Sequence, residues 1–202
     1  YNLNSIDGKT RFANELSTLL SELDNRVERE LYIEKFSGQY NIGFDSLVVN
    51  NVTKESKKLL NKMAYAVQGV ELMRKELAFS DWRYKFQVRF DDEEEWHDAT
   101  SVIVGKSRYY AGRYSLFNGA SLANPMLHVA LFTGNTRNDF MRYAACIAME
   151  ALQLEKSIVL KTAKKLEIRC NEENFAAELD GDAITTAPLS IELDETPIKF
   201  LA

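Results

Sequence analysis

Carboxylates are the chemically capable groups that this sequence bunches most tightly. Asp91, Asp92, Glu93, Glu94 and Glu95 stand in a row, and such a run could hold a divalent cation through hard oxygen ligands. Their mutual repulsion favours the alternative, a solvated hairpin tip. Asp180-Gly181-Asp182 is a second acidic site whose residue types specify a tight turn. On the residues alone, an ordinary Asp-Gly hairpin turn is the simpler reading.

Nitrogen and sulfur groups are sparse. His97 and His128 are the only histidines, Cys146 and Cys170 the only cysteines, and no two of the four lie close together. That spacing excludes a local zinc motif and leaves a Ser-His-Asp triad poorly supplied. Cys146 falls in an apolar helical stretch and Cys170 ends an alternating run. Both are expected as buried thiols, and so few cysteines favour a cytosolic home. The glycines lie at positions 8, 38, 43, 69, 105, 112, 119, 134 and 181. A phosphate cradle needs closely spaced glycines to aim several N–H groups at one anion. Gly38 and Gly43 have P-loop spacing, but Phe44-Asp45 follows where Lys-Ser/Thr is required.

The elements that must position these groups can be read from hydrophobic period. Phe12, Leu16, Leu19, Leu20 and Leu23 predict a helix, and Val27–Phe36 a strand. Gln39–Val49 reads as a second strand kinked at Gly43. Thr53–Phe79 is helical, capped by Thr53, and its Leu59, Leu60, Met63, Val67, Val70 and Met73 stripe is a core face rather than a cofactor box. Trp82–Phe90 alternates without a fault between apolar and polar residues, as a half-buried strand does. Trp96–Val104 and Met126–Phe132 read as strands. Thr136–Glu155 reads as a helix capped by Thr136, with Phe140, Ala144, Ile147 and Leu154 on its apolar side. Short strands follow at Ser157–Lys161, Lys165–Cys170, Asn174–Leu179, Leu189–Leu193 and Pro197–Leu201. This order predicts an α+β fold, an antiparallel β-sandwich or barrel-like core with flanking helices, in one domain over residues 1–202.

Composition narrows the function classes. The chain has 202 residues, of which 46% are hydrophobic and 27% charged, so it can bury a core and is not disordered throughout. Its net charge is -5, which gives no reason to expect nucleic acid as a partner. No apolar run approaches a transmembrane helix and no signal peptide opens the chain. It begins at Tyr1 rather than Met, as a processed or trimmed product would.

Four segments carry a resemblance. Tyr40-Asn-Ile-Gly-Phe-Asp-Ser-Leu-Val-Val49, Gly105-Lys-Ser-Arg-Tyr-Tyr-Ala-Gly112, Ala120-Ser-Leu-Ala-Asn-Pro-Met-Leu-His-Val129 and Glu178-Leu-Asp-Gly-Asp182 occur in that order, followed by Pro188-Leu-Ser-Ile. In order and spacing, over roughly residues 10–201, they resemble the C-terminal domain of the diacylglycerol kinase / sphingosine kinase family in its bacterial soluble form. The resemblance implies a sandwich-like substrate-side domain. It also implies an N-terminal ATP-binding domain bearing Gly-Gly-Asp-Gly-Thr, which this chain lacks.

The same resemblance implies the chemistry: transfer of the γ-phosphoryl group of ATP, with Mg²⁺, to a lipid hydroxyl such as that of diacylglycerol. The family's general base falls on Asp182, where Glu is usual. The structural Mg²⁺ of relatives falls on Asn124 with the carbonyls of Ser121 and Met126. Asn there replaces an Asp and Pro125 a Gly, so weakened or absent Mg²⁺ binding is expected. Asn41 and Asp45 fall on the strand facing the domain junction, and Tyr109 and Tyr110 on the lipid path. The implied partners are lipid at a membrane surface, the enzyme's own N-terminal domain and a second copy of the chain. The location implied is cytoplasmic with peripheral membrane contact. The altered metal loop leaves a second possibility, a non-catalytic lipid- or protein-binding module.

Overall fold

The computed structural model describes residues 39–43, 46, 82–110, 114–180 and 182–194. The helices expected over 12–23 and 53–79, the strands over 27–36 and 197–201, and Asp45 lie outside the described residues. The described strands are β1 (Gln39–Ile42), β2 (Phe86–Phe90), β3 (His97–Ala99), β4 (Ser101–Gly105), β5 (Tyr109–Tyr110), β6 (Tyr114–Ser115), β7 (Leu127–Phe132), β8 (Ile158–Ala163), β9 (Lys165–Cys170), β10 (Ala176–Leu179), β11 (Asp182–Thr186) and β12 (Leu189–Glu192). One helix, α1 (Arg137–Ala148), lies between β7 and β8. All pairings are antiparallel. They make a six-stranded sheet in the order β11-β10-β1-β4-β7-β8, a four-stranded sheet in the order β12-β9-β2-β3, and a β5-β6 ribbon.

The alternation of Trp82–Phe90 is realised in full: Trp82, Tyr84, Phe86, Val88 and Phe90 are buried, and the residues between them are exposed or half-buried. Each fully buried large apolar side chain of this strand contributes about 1.5–3 kcal/mol relative to exposure. They join Ile42, Val102, Val104, Val129 and Leu131 of the six-stranded sheet and Leu166 and Ile168 of β9 in one apolar cluster. Lys161 of β8 reaches the other sheet, with Nζ 4.7 Å from the Phe90 ring centroid and 3.2 Å from Glu93 Oε2. The result is the expected β-sandwich.

The acidic run forms the β2–β3 hairpin tip, with all five residues exposed. Two of them also have structural tasks. Asp91 accepts from the backbone N–H groups of Lys164 and Lys165, and Glu93 meets His97 and Lys161. No metal-holding group of His, Cys, Asp and Glu occurs among the described residues.

Several expectations need correction. The strand expected to run from Gln39 to Val49 stops at Ile42, because Gly43 has φ of 123° and Ser46 is already helical. The Trp96–Val104 strand is two strands in two sheets, broken at Thr100. There the backbone N–H and Oγ1 both donate to Phe132 O, and Oγ1 also to Gly134 O. These side-chain bonds compete with a continuous ladder. The helix over Thr136–Glu155 ends at Ala148, since Glu150 takes φ of 54°, and Leu154 is 78% exposed. Its start is as expected: Thr136 Oγ1 accepts from Asp139 N, and Asp139 Oδ2 accepts from Thr136 N. β5, β6 and β11 were not expected. Cys146 and Cys170 are free and only half-buried.

Candidate functional site

The centre of the six-stranded sheet brings the four motif segments together. Asn41 of β1 lies opposite Glu178 of β10 on one side and Ile103 of β4 on the other. One residue along, Tyr40 faces Leu179 and Val104. Gln39 then faces Gly105, which in turn faces His128 of β7. The sheet thus ends in a row where β1 begins and β4 and β10 stop.

Hydrogen bonds tie that row together. Gln39 N–H donates to Asp180 Oδ1 at 2.9 Å, and Asp180 N–H donates to Gln39 O at 3.1 Å. Gln39 Nε2 donates to the carbonyl of Tyr109. Behind them, Asn41 Nδ2 donates to Glu178 Oε1 at 2.6 Å, and each of these two residues is only 5% exposed. A buried carboxylate requires such a donor. The Asn41 side-chain oxygen is buried without a hydrogen-bond partner.

The turn after β10 is tight. Asp180 takes φ of 52°, a conformation that Asp tolerates better than most residues, and Asp182 opens β11 opposite Leu179. The expected catalytic position thus stands one turn from the Gln39–Asp180 pair. Tyr109 contributes its carbonyl to that pair and lies beneath the Arg108 guanidinium, 5.6 Å from the ring centroid. Tyr110 pairs with Tyr114 across the β5–β6 ribbon and packs against the core.

The Ser121–Met126 loop carries the expected metal positions. Asn124 N–H donates to Ser121 O at 3.0 Å, and Met126 N–H donates to Asn124 O at 2.8 Å. The same two carbonyls accept from Lys106 Nζ, at 3.4 Å for Ser121 and closer for Asn124. The residues therefore do not fit a divalent ion. The loop has no acid, and an ammonium group already sits on two of its carbonyls.

Lys106 also governs its neighbourhood. Burial pulls its pKa below the ordinary lysine value. Burial and the Lys106 charge together hold His128 below the usual histidine range. His128 packs against Phe117, with ring centroids 5.8 Å apart, and its Nε2 is buried without a hydrogen-bond partner. Gly105 admits Phe117 here, because a Cβ would come within 3.0 Å of that ring.

Sequence reasoning passed over Gln39, Lys106, His128, Glu178 and Asp180 as site residues. Lys106, His128, Glu178 and Asp180 lie inside the motif segments, so motif membership was the available signal.

The pattern described as the YegS C-terminal NAD kinase beta sandwich-like domain matches residues 38–202. Residues 1–45 match a second pattern, the DnaB-helicase binding domain of primase. A search of the curated proteins gave no match. Among solved structures, a provisionally assigned diacylglycerol kinase from Bacillus anthracis aligns with a TM-score of 0.56 and 20% identity, over 89% of this chain and 61% of that one. A diacylglycerol kinase structure from the same organism aligns with a TM-score of 0.53 and 19% identity, over 89% of this chain and 62% of that one. The chain thus spans about three fifths of the length of these structures, and at such identity the likeness speaks for the fold. With the pattern covering residues 38–202 and the sandwich in place, the chain belongs to the YegS C-terminal NAD kinase beta sandwich-like family, the C-terminal domain of a kinase-like fold.

Proposed function

We propose that this chain is the substrate-side domain of an ATP-dependent lipid kinase, which transfers the γ-phosphoryl group to the hydroxyl of a diacylglycerol-like lipid. The observation that carries this reading is the hydrogen-bonded row at the sheet end, where Gln39, Tyr109 and Asp180 converge beside Asp182. Two separated motif segments meet there beside Gln39, the residue that leads into a third.

In this reading Asp182 takes the acceptor proton as the lipid oxygen attacks phosphorus, and the doubly hydrogen-bonded Gln39–Asp180 pair holds the start of the turn that presents it. Asn41 and Glu178 set the register of β1 against β10 and so position the same turn. ATP and its Mg²⁺ are held by a glycine-rich cradle, which the glycines of this chain do not form. The chain by itself therefore transfers no phosphate. Its substrate is reached at the membrane surface from the cytoplasm, with the enzyme's own N-terminal domain as partner. Among the described residues, no helix is long and apolar enough to cross a membrane.

The test is a mixed-micelle assay of the full-length gene product with ATP, Mg²⁺ and diacylglycerol or other lipid alcohols. ATP-dependent lipid phosphate should form, and Asp182→Asn should lower kcat by roughly 10²–10⁴-fold. Asp182→Glu, which restores the family's usual acid, should keep or raise activity. Full turnover by the Asn variant removes Asp182 from the mechanism, and absence of transfer to any lipid alcohol removes the kinase reading.

A second reading, a protein-binding module, draws on the match of residues 1–45 to a helicase-binding domain. Its last residues overlap β1, which is hydrogen-bonded on both edges within the sheet. Pull-down of the replicative helicase by the full chain, competed by residues 1–38 alone, would support that reading.

A further inference from the structure

Lys106 leaves the end of β4 and places its ammonium group against the loop that leads into β7. It donates to the carbonyls of Ser121 and Asn124. These carbonyls, which share the Lys106 donor, are also the acceptors of the loop's own turns: Ser121 O takes Asn124 N–H, and Asn124 O takes Met126 N–H. Ser121 Oγ tightens the first turn further by accepting from Ala123 N–H at 3.3 Å. The loop sequence, Ser-Leu-Ala-Asn-Pro-Met, supplies no negative charge. Two backbone oxygens with partial negative charge and a single half-buried cation therefore make the site. His128, at the start of β7, is held below the usual histidine range by burial and by the Lys106 charge.

We propose that the Lys106 ammonium is the resident cation of the Ser121–Met126 loop, pinning it to the end of β4 as a divalent metal ion would and leaving this domain independent of Mg²⁺ and Ca²⁺. A tethered ammonium needs no dehydration step of the kind that Mg²⁺ resists, and its stem packs beside the loop while its head reaches the carbonyls. A divalent ion added here would meet one fixed positive charge and no carboxylate. The inference stands on the loop alone and does not depend on the lipid kinase reading.

The experiment is thermal unfolding of the full chain, followed by circular dichroism, with 0–10 mM MgCl₂ or CaCl₂ against EDTA at matched ionic strength. The wild-type Tm should stay constant across the series. Lys106→Met should lower Tm by about 3–6 °C through loss of a charge-assisted hydrogen-bonded contact, and Mg²⁺ should not restore it. Lys106→Arg should retain most of the stability. The variant Lys106→Ala/Asn124→Asp/Pro125→Gly exchanges the tethered cation for a carboxylate, and its Tm should rise with the logarithm of the Mg²⁺ concentration. A wild-type Tm that rises by more than about 2 °C in Mg²⁺ overturns the proposal. So does a Lys106→Met variant as stable as wild type, or a triple variant indifferent to Mg²⁺. The wild-type titration decides the matter even where a variant fails to fold.

Discussion

Asn41→Asp turns the hydrogen bond at the middle of the six-stranded sheet into a contest between two acids. In the wild type Asn41 Nδ2 donates to Glu178 Oε1 at 2.6 Å, with both residues buried. The substitution would remove that donor and bring a second carboxylate to roughly 3 Å from the first. At an effective dielectric of about 20, two like charges at that range repel by about 5–6 kcal/mol. Protonating one carboxyl at pH 7 instead costs about 4 kcal/mol, from an ordinary pKa near 4, and it recovers an O–H···O⁻ bond. Protonation wins, so the variant should be about 4 kcal/mol less stable at pH 7. For a domain of this size that is a Tm fall of roughly 8–16 °C.

The sign of the pH dependence follows. The shared proton gives the folded variant a raised carboxyl pKa, so the folded state binds more protons than the unfolded one near neutrality. The penalty then shrinks by about 1.4 kcal/mol for each pH unit below 7, leaving roughly 1–2 kcal/mol at pH 5. Asn41→Ala removes only the donor and should cost about 1.5–3 kcal/mol, with no such recovery in acid. Urea unfolding at pH 5, 6 and 7 would measure all three chains. An Asp variant as stable as wild type at pH 7, or one whose deficit is the same at pH 5, would refute the reasoning.

Three other perturbations test separate parts of the fold. Gly43→Ala should cost more than about 3 kcal/mol, seen as a large fall in the urea midpoint, because φ is 123° and the new Cβ would lie 2.8 Å from Ser101 Cα. Thr136→Ala should cost about 1–2 kcal/mol by opening the capping box of α1. Burial alone would raise the Asp139 pKa, but hydrogen bonds from Thr136 and the Arg142 guanidinium outweigh it and hold the carboxyl low. The stability this gives is present above the ordinary Asp range and is lost as pH falls through the folded value, and Thr136→Ala should blunt that acid loss in a Tm-against-pH series. His128, held below its usual range, opposes folding in acid: the unfolded chain takes the proton first. Wild-type Tm should therefore drop as pH falls below about 6.5, and His128→Phe should remove that step.

Period and caps made much of the sandwich legible. Trp82–Phe90 could be read because every second residue is apolar, and α1 could be started at Thr136 because a side-chain oxygen there meets the first turn. The end of α1 was not legible. Ala151, Leu152 and Leu154 continue a helical period, and only the left-handed Glu150 breaks it. The break at Thr100 was hidden for a similar reason, since a β-branched residue in an apolar run reads as strand. What turns the chain there is a tertiary hydrogen bond to Gly134, far along the sequence. At the site, the motif segments named Asn41, Tyr109 and Asp182. The bonds that hold the row together, Gln39 to Tyr109, Gln39 to Asp180 and Asn41 to Glu178, span 70, 141 and 137 residues. Lys106 was passed over because a lysine after a strand reads as a solvated charge, and only the folded loop gives it carbonyls to bind.

The position of β1 in the sheet has a bearing on how the protein is made. Its first partner, β4, is complete at Gly105, but its second, β10, ends at Leu179. Roughly 70 residues separate the two, so during synthesis at 5–20 residues per second one edge of Gln39–Ile42 waits about 4–15 s for its partner. Throughout that interval a nascent chain carries an open, apolar-flanked strand edge of the kind that captures other strands. The last third of the polypeptide therefore acts as a cap on the first part of the sheet, and ribosome-stalled chains ending before Ala176 should bind holdase chaperones and resist release, whereas chains extended past Thr186 should not.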